Sequence, residues 1–385
     1  MGYDNSVTKG DLSFGLSLMS HLGDGNLAVS PTSIRTALSM LYEGATGEVA
    51  KEIARVADLP EDAKQRQNGF KQLSEVLNAQ NVPYKIRYAN GLWLANNFPV
   101  NESYRKTLTE NYGAEAKSVN FMGNPEGERT GINKWVSDKT EEKIPELFKE
   151  GSISSYTVLA LANALYFKAM WDNKFDPQYT QKQDFTLSNG NKIQVDMMRK
   201  GRVDSNTLPK FSYGEFDGVQ TVMLPYKGKQ LVKFVLLPPK GSDVKSLEKH
   251  LLKDKMNLMD LISIVEEREK FERLEIPKHE LRGSYGLVPS LTAMGMEKAF
   301  TFSDGLSGIG PGSLQVNAAQ HETYFKTDEE GSEGAAATGF GVRSLGMSRP
   351  TEPIEFIADR PFLEVIAELN SDTFLFVNRV EDPRN

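Results

Sequence analysis

The chain has 385 residues, of which 39% are hydrophobic and 25% are charged, a composition typical of a soluble globular protein with a large core. The formal net charge is −7 and no long run of Lys or Arg occurs, so neither nucleic acid nor an anionic membrane is expected as a partner. The absence of Cys excludes disulfides, thiolate catalysis and Cys-ligated metal sites.

The beginning of the chain has the apolar spacing of helices. Four stripes predict helices, at residues 12–22, 34–41, 49–56 and 70–77. Ser30-Pro31 predicts the start of the second helix, because Ser is a good N-cap and Pro suits the first helical position. Gly44 is a plausible end for that helix.

Strand patterns follow. Residues 84–88 alternate between aromatic or aliphatic and basic side chains, which predicts a strand with one wet face. Residues 156–170 are apolar on both faces, which predicts a strand in the middle of a sheet. The remaining predicted elements are helices at 104–112, around Trp135 and at 244–268, hairpins turning at 188–191 and 227–229, and strands at 362–369 and 374–380.

The order of these elements limits the possible fold classes. Helices cluster early and strands late, without βαβ alternation, which favours an α+β fold over a doubly wound sheet. No repeat, low-complexity tract or charged linker marks an internal boundary, so we expect one domain over residues 1–385.

Neither a membrane span nor a secretion signal is visible. The longest apolar run, 157–167, is interrupted by Asn163 and is shorter than the ~20 residues that a membrane helix needs. The first ten residues, MGYDNSVTKG, contain no apolar signal core. We therefore expect either a cytoplasmic protein or a secreted one whose leader has been removed.

Common catalytic motifs are missing. The four histidines form no His-Glu-x-x-His pair, and no Gly-x-Ser-x-Gly elbow or phosphate-binding Walker loop occurs. Nothing in the sequence favours an enzyme, a metal site or a cofactor.

The segment from residue 328 to 353 differs from the rest of the chain. It is about 26 residues long and has no aliphatic repeat, whereas loops above ~12–15 residues are uncommon in compact domains and are often functional. Its first half is rich in small residues, which is also the composition of a flexible linker.

Several motifs, in order along nearly the whole chain, resemble those of the serpin family. They are Asn26–Ile34 (NLAVSPTSI), Asn163–Trp171 (NALYFKAMW), Ile276–Lys278 (IPK), Gly295–Phe300 (GMEKAF), His321–Thr338, Arg360–Phe362 (RPF) and Phe376–Val380 (FVNRV). The resemblance implies an α+β fold of three β-sheets, A, B and C, with eight or nine helices and an exposed reactive-centre loop at about 329–353.

The resemblance also implies a suicide mechanism. A serine protease cleaves the exposed loop and forms an acyl-enzyme, and the freed loop then inserts as an extra strand of sheet A and traps the protease. Loop insertion in serpins is itself a standard example of strand addition.

The amino-acid composition of the hinge suits its insertion as a strand of sheet A. The residues that match the family hinge are Glu329, Glu330, Gly331, Ser332, Glu333, Gly334, Ala335, Ala336, Ala337 and Thr338. In a strand, alternate residues share a face, so Ser332, Gly334, Ala336 and Thr338 would point one way and Glu333 the other. The first set is small and uncharged, and a charge there would be buried unpaired.

Counting along the family hinge places the reactive bond between Leu345 and Gly346. A leucine suits a protease of chymotrypsin-, elastase- or subtilisin-like specificity, because an apolar pocket desolvates it well. The far side of the loop is longer than in many relatives, and Arg343 is an alternative that would suit a trypsin-like enzyme. Met347 and Arg349 are weaker candidates.

The resemblance assigns conformational roles to a few further residues. Ser30, Ser33, Asn163 and His321 match a polar cluster under the centre of sheet A that opens and recloses. Ser30 is also an ordinary N-cap, and a lone His is more often structural than a ligand.

Two family matches lie at the top of sheet A. Trp171 matches the position where the loop enters, with simple core packing as the alternative interpretation. Lys278 matches a pairing partner of Glu329. We expect a monomer that polymerises when this region is destabilised. A non-inhibitory serpin, acting as carrier, chaperone or storage protein, is the alternative function.

Overall fold

The computed structural model describes residues 5–201, 211–268, 271–332 and 354–384. In these ranges the α-helices are α1 Asp11–Met19, α2 Pro31–Tyr42, α3 Gly47–Val56, α4 Ala63–Leu77, α5 Glu102–Tyr112, α6 Pro125–Lys139, α7 Val244–Lys253, α8 Leu258–Ile264 and α9 Leu287–Ala293. Within the same ranges, no helix combines the length and apolarity needed to cross a bilayer.

The strands in the described ranges form three sheets. They are β1 Leu27–Val29, β2 Tyr84–Ala95, β3 Glu115–Val119, β4 Leu159–Met170, β5 Gln181–Thr186, β6 Lys192–Gly201, β7 Phe211–Phe216, β8 Val219–Pro225, β9 Leu231–Leu237, β10 Glu266–Arg268, β11 Phe271–Pro277, β12 His279–Gly286, β13 Val316–Thr327, β14 Gly331–Ser332, β15 Ile354–Ile357, β16 Phe362–Glu368 and β17 Thr373–Val380. Sheet A has the order β12-β13-β4-β2-β3 with β14 beside β4; sheet B has β1-β17-β16-β9-β8-β7-β10; sheet C has β15-β11-β6-β5. This is the α+β arrangement expected from the resemblance.

The middle of sheet A is a parallel seam. β4 lies antiparallel to β2 but parallel to β13, and this register sets His321 of β13 opposite Asn163 of β4. We call the β4–β13 junction the seam. β4 is buried along most of its length, as predicted for a central strand, although it begins at Leu159 rather than at residue 156.

Helix α2 lies between sheets A and B, in contact with β4 and β2 on one side and β17 on the other. The predicted cap is present, because Ser30 Oγ accepts a hydrogen bond from the backbone N–H of Ser33 at 3.3 Å. Residues 31–41 of the helix are all buried. The start of α2 is therefore fixed directly under the seam.

Two expectations from the sequence were wrong. β2 and β3 are parallel and are joined through α5, so the fold does contain a βαβ unit. The helix predicted for 244–268 is two helices, α7 and α8, followed by strand β10, because the backbone of residues 266–268 pairs with β7. Helix α9 was not predicted, since seven residues are too few to show a helical period.

Candidate functional site

The hinge contains a two-residue strand, β14, at the upper end of the seam, where β4 finishes. Gly331 and Ser332 of β14 pair antiparallel with Met170 and Ala169 of β4. The pairing of β13 with β4 has already ended at Tyr324, and β14 contacts β13 as well as β4. The first residues of the hinge thus already occupy the space between the two central strands.

Gly331 is required at this point by the close approach of two backbones. A Cβ atom on residue 331 would lie 2.1 Å from the carbonyl oxygen of Ala169 and 2.7 Å from the Cα of Met170. Because both obstacles are backbone atoms of β4, any side chain would force β14 away from the strand.

Ser332 is fully buried and is held by an aromatic pair. Its Oγ lies 2.7 Å from the hydroxyl of Tyr226, whose ring stacks on Trp171 with centroids 4.6 Å apart. Trp171 Nε1 donates to the carbonyl of Asp328 at 2.9 Å. Trp171 therefore does more than fill the core, because it hydrogen-bonds the segment that leads into the hinge.

Glu329 receives two side-chain contacts. Lys278 Nζ lies 2.9 Å from Oε2, and Thr180 Oγ1 donates to Oε1 at 2.7 Å. Burial by itself raises the pKa of Glu329, but the contacts with Lys278 and Thr180 outweigh it and hold the pKa below its usual value. Glu329 is therefore an anion at neutral pH, and next to it Glu330 is paired with Lys174.

A polar cluster crosses the seam at its centre. Asn163 Nδ2 donates to Ser33 Oγ at 2.6 Å and to the Ser33 carbonyl at 2.8 Å, and it also contacts Asn90 Oδ1. Asn163 Oδ1 faces Nδ1 of His321, while the backbone N–H of Ser30 donates to His321 Nε2 at 3.1 Å. The structure thus brings the four predicted side chains together and adds Asn90 to them; all are buried.

These contacts define the protonation state of His321. Because Nε2 accepts a hydrogen bond, the ring proton lies on Nδ1 and is donated to Asn163. Burial lowers the pKa of His321 to about 3. The ring is therefore neutral at physiological pH, and the cluster can exchange hydrogen bonds without carrying charge.

A buried charge cluster lies below the hinge and connects sheet A to sheet B. Lys233 Nζ lies 2.7 Å from Glu364 Oε2 and donates to Thr327 Oγ1 at 2.6 Å, and His279 Nε2 lies 3.2 Å from Glu364 Oε1. Burial raises the pKa of Glu364, but Lys233 and His279 more than compensate and bring it to about 2. In the ranges that the structure covers, no group of three His, Asp or Glu side chains is arranged to hold a metal ion.

The remaining predicted residues lie outside the described residues. They are Glu333, Gly334, Ala335, Ala336, Ala337 and Thr338 of the hinge, the predicted reactive bond Leu345–Gly346, and the alternative Arg343. Four residues contact the predicted site but were not predicted, because they lie in separate parts of the chain and none belongs to a local motif: Asn90 of β2, and Lys174, Thr180 and Tyr226 in connections between elements.

Comparison with known proteins gives one consistent result. The family described as Serpin (serine protease inhibitor) matches residues 10–383. A serpin-like protein of Thermococcus kodakarensis is 33% identical over 389 residues, covering 100% of this chain and 87% of the relative. The leukocyte elastase inhibitor of Bos taurus is 32% identical and covers 96% of each chain. The crystal structure of Serpin48 of Tenebrio molitor superposes with a TM-score of 0.83 at 27% identity, over 98% of this chain and 97% of that one.

Proposed function

Since the chain belongs to the serpin family, whose members are protease inhibitors rather than proteases, we propose that it inhibits a serine protease by a suicide mechanism. The protease cleaves the reactive-centre loop, at about 329–353, and is held as an acyl-enzyme while the loop inserts into sheet A. Residues 1–385 act as one domain in this proposal.

The observation that carries the proposal is the position of β14. Gly331 and Ser332 already pair with β4 at the top of the seam. Continuing the same antiparallel register would bring Glu333 opposite Lys168 and Thr338 opposite Asn163. The inserted strand would then present a carboxylate to a lysine near its start and a hydroxyl to the polar cluster at its centre.

The energy of strand addition is sufficient. A strand of roughly 12 residues forms about 12 ladder hydrogen bonds at ~1 kcal/mol net each, on the order of 10 kcal/mol in total. Typical proteins are stable by only ~5–15 kcal/mol. Insertion therefore releases enough free energy to distort a protease that is attached to the end of the strand.

We propose Leu345–Gly346 as the reactive bond, with Arg343 as the alternative primary residue. The target is then a protease of chymotrypsin-, elastase- or subtilisin-like specificity. The name of the bovine relative, a leukocyte elastase inhibitor, agrees with an apolar primary residue.

The test is incubation with chymotrypsin, elastase, subtilisin and trypsin in parallel, followed by a denaturing gel and mass spectrometry. We expect a band that survives denaturation, near the summed mass of protease and truncated inhibitor, and a released fragment beginning at Gly346. A fragment beginning at Ser344 would instead assign the bond to Arg343.

Two variants separate trapping from mere cleavage. Gly334→Arg adds a charge on the inward face of the inserted strand, where it would be buried unpaired, so we expect cleavage with little trapping. Glu333→Arg adds the same charge on the outward face and should largely retain trapping. Clean cleavage of the wild type by every protease, without a stable complex, would favour the non-inhibitory carrier, chaperone or storage function.

A further inference from the structure

Glu322 lies on the opposite face of sheet A from the polar cluster, one residue after His321. The register places it opposite Ala164 of β4 across the seam and opposite Ser284 of β12 on the other side. Its Oε2 is buried and accepts no hydrogen bond from any residue that the structure describes. One oxygen of the carboxylate thus loses hydration without gaining a partner.

Charged groups from two other elements act on Glu322. Lys149 and Glu146 belong to the connection between α6 and β4, and Arg282 belongs to β12, whereas β4 presents the uncharged Ala164. Burial is the dominant influence and raises the pKa of Glu322 to about 7; Glu146 raises it further, and Lys149 and Arg282 lower it. The nearby cations therefore do not compensate for the loss of water.

We propose that Glu322 makes opening of the seam between β4 and β13 dependent on pH, with the neutral carboxyl favouring the closed sheet and the ionised carboxylate favouring opening. The reason is geometric: Ala164 belongs to the strand across the seam, so separation of β4 from β13 removes one wall around Glu322 and admits water. This inference rests on the proposed insertion of a strand at the seam.

The direction of the effect follows from proton linkage. The closed sheet holds the Glu322 proton more tightly than an open or unfolded chain, in which the pKa is near its ordinary value of 4.5. Well below pH 4.5 the proton is bound in both states and the closed sheet is not penalised. The penalty grows as the pH rises from 4.5 and is complete above about 7.

The experiment measures insertion of a synthetic peptide with the sequence of residues 332–343 into the intact protein between pH 6 and 8.5, followed on a native gel. We expect the wild-type rate to rise several-fold over this range, because a shift of the pKa from 4.5 to about 7 gives at most about tenfold between pH 6 and 8.5 and the partial exposure of Glu322 reduces it. Glu322→Gln, which has the same shape and no charge, should insert slowly at every pH.

Glu248→Gln is a matched control. Burial also raises the pKa of Glu248 to about 7, but this residue lies on α7 beside Arg379, in contact with no strand of the seam. The variant should alter the pH dependence of unfolding in urea and leave that of peptide insertion unchanged.

Three outcomes would count against the role of Glu322. They are a wild-type insertion rate that stays flat with pH, a Glu322→Gln variant that keeps the wild-type slope, and a Glu248→Gln variant that loses it. If no peptide inserts at any pH, the proposed insertion mechanism fails instead. Unfolding in urea then tests Glu322 separately. If ionisation of Glu322 destabilises the closed sheet, the difference in free energy of unfolding between wild type and Glu322→Gln must grow from pH 6 to 8.5.

Discussion

His321 couples the two central strands of sheet A through one proton. The ring accepts from the backbone of Ser30 and donates to Asn163, so it is fully satisfied only as the neutral Nδ1–H tautomer. Protonation of Nε2 would set a donor against the N–H of Ser30. Acid therefore removes a hydrogen bond at the centre of the seam and adds a buried charge.

We predict that His321 makes the protein less stable in mild acid. Its pKa is about 3 in the folded chain against an ordinary 6.5, so the unfolded chain binds the proton more tightly and stability falls as the pH decreases from 6.5 towards 3. At pH 5 the loss is about 2 kcal/mol. Urea unfolding of the wild type and of His321→Gln, at pH 7 and pH 5, measures it: the variant should lose about 2 kcal/mol less than the wild type.

His21→Gln is the control, because that ring is exposed at the end of α1. It should lose stability between the two pH values as the wild type does. If His321→Gln does not fold, nitrogen NMR of the wild-type ring replaces the comparison. A His321 ring that gains its second proton between pH 7 and 5 would contradict the prediction.

At the level of single residues, the sequence predicts only the site residues that belong to a recognisable motif. Ser30 is recognisable as a cap from its neighbour Pro31, and Asn163 and His321 lie in family motifs. Asn90 and Tyr226 carry no such signal. They reach the site because strand register brings β2 beside Asn163 and the end of β8 beside Trp171. Register depends on pairing across the whole sheet, which one sequence does not display.

The contacts of Glu329 hold the chain just before the short strand β14, in addition to the pairing of β14 with β4 and the contact of Ser332 with Tyr226. Lys278 and Thr180 fix the Glu329 carboxylate, and the backbone N–H of Phe175 donates to the backbone carbonyl of Glu329 at 3.0 Å. The strand itself contributes two residues to the ladder. The contacts of Glu329 therefore contribute much of the restraint on the top of the seam.

We predict that Glu329→Lys opens this region and causes loop-sheet polymers to form. The new ammonium group would face Lys278 at the 2.9 Å site and could not accept the hydrogen bond from Thr180. A native gel after warming should show a ladder of oligomers. Glu280→Lys, which changes a partly exposed residue of β12 that pairs with Arg282, is the matched control and should stay monomeric. A Glu329→Lys protein that remains monomeric after warming would refute the role of the ion pair.

Long and periodic elements were predictable from the sequence alone. Helices α1 to α5 follow from apolar spacing, whereas the central strand β4 and the last two strands follow from their continuous apolar runs. The strand at 266–268 and helix α9 did not follow, since they are short. The first is specified by its pairing with β7 and the second by packing, through Leu287 and Leu291, which are buried.

On the scale of the whole molecule, the two central strands of sheet A are the feature that matters most for the proposed mechanism. β4 and β13 run parallel at its centre, although each could pair with an antiparallel strand inserted between them. Antiparallel pairing is slightly more stable per residue than parallel pairing. We therefore expect the closed fold to be less stable than the same fold with one more strand, as the proposed mechanism requires.

We predict that cleavage within residues 343–349 raises thermal stability. The freed strand should insert and add on the order of 10 kcal/mol of ladder hydrogen bonds. The unfolding midpoint, measured by calorimetry before and after limited proteolysis, should rise by on the order of ten degrees. Gly334→Arg, cleaved in the same way, should show a much smaller rise because its strand cannot enter fully.

An unchanged or lower midpoint after cleavage of the wild type would exclude insertion. It would favour a carrier, chaperone or storage role, for which a nicked loop brings no extra strand. The overall arrangement of three sheets was predictable only through the family resemblance. Composition and periodicity by themselves predict only the α+β class, because they do not encode which distant strands become neighbours.

The placement of the three tryptophans has a spectroscopic consequence. Trp171 stacks on Tyr226 at the hinge, whereas Trp93 of β2 and Trp135 of α6 contact each other edge to face, with centroids 5.1 Å apart. One indole thus reports on the point where the hinge enters sheet A, and the other two on the contact between α6 and the sheet. Intrinsic fluorescence of this protein therefore contains two separate signals, and replacing Trp171 with Phe isolates the second without attaching a dye.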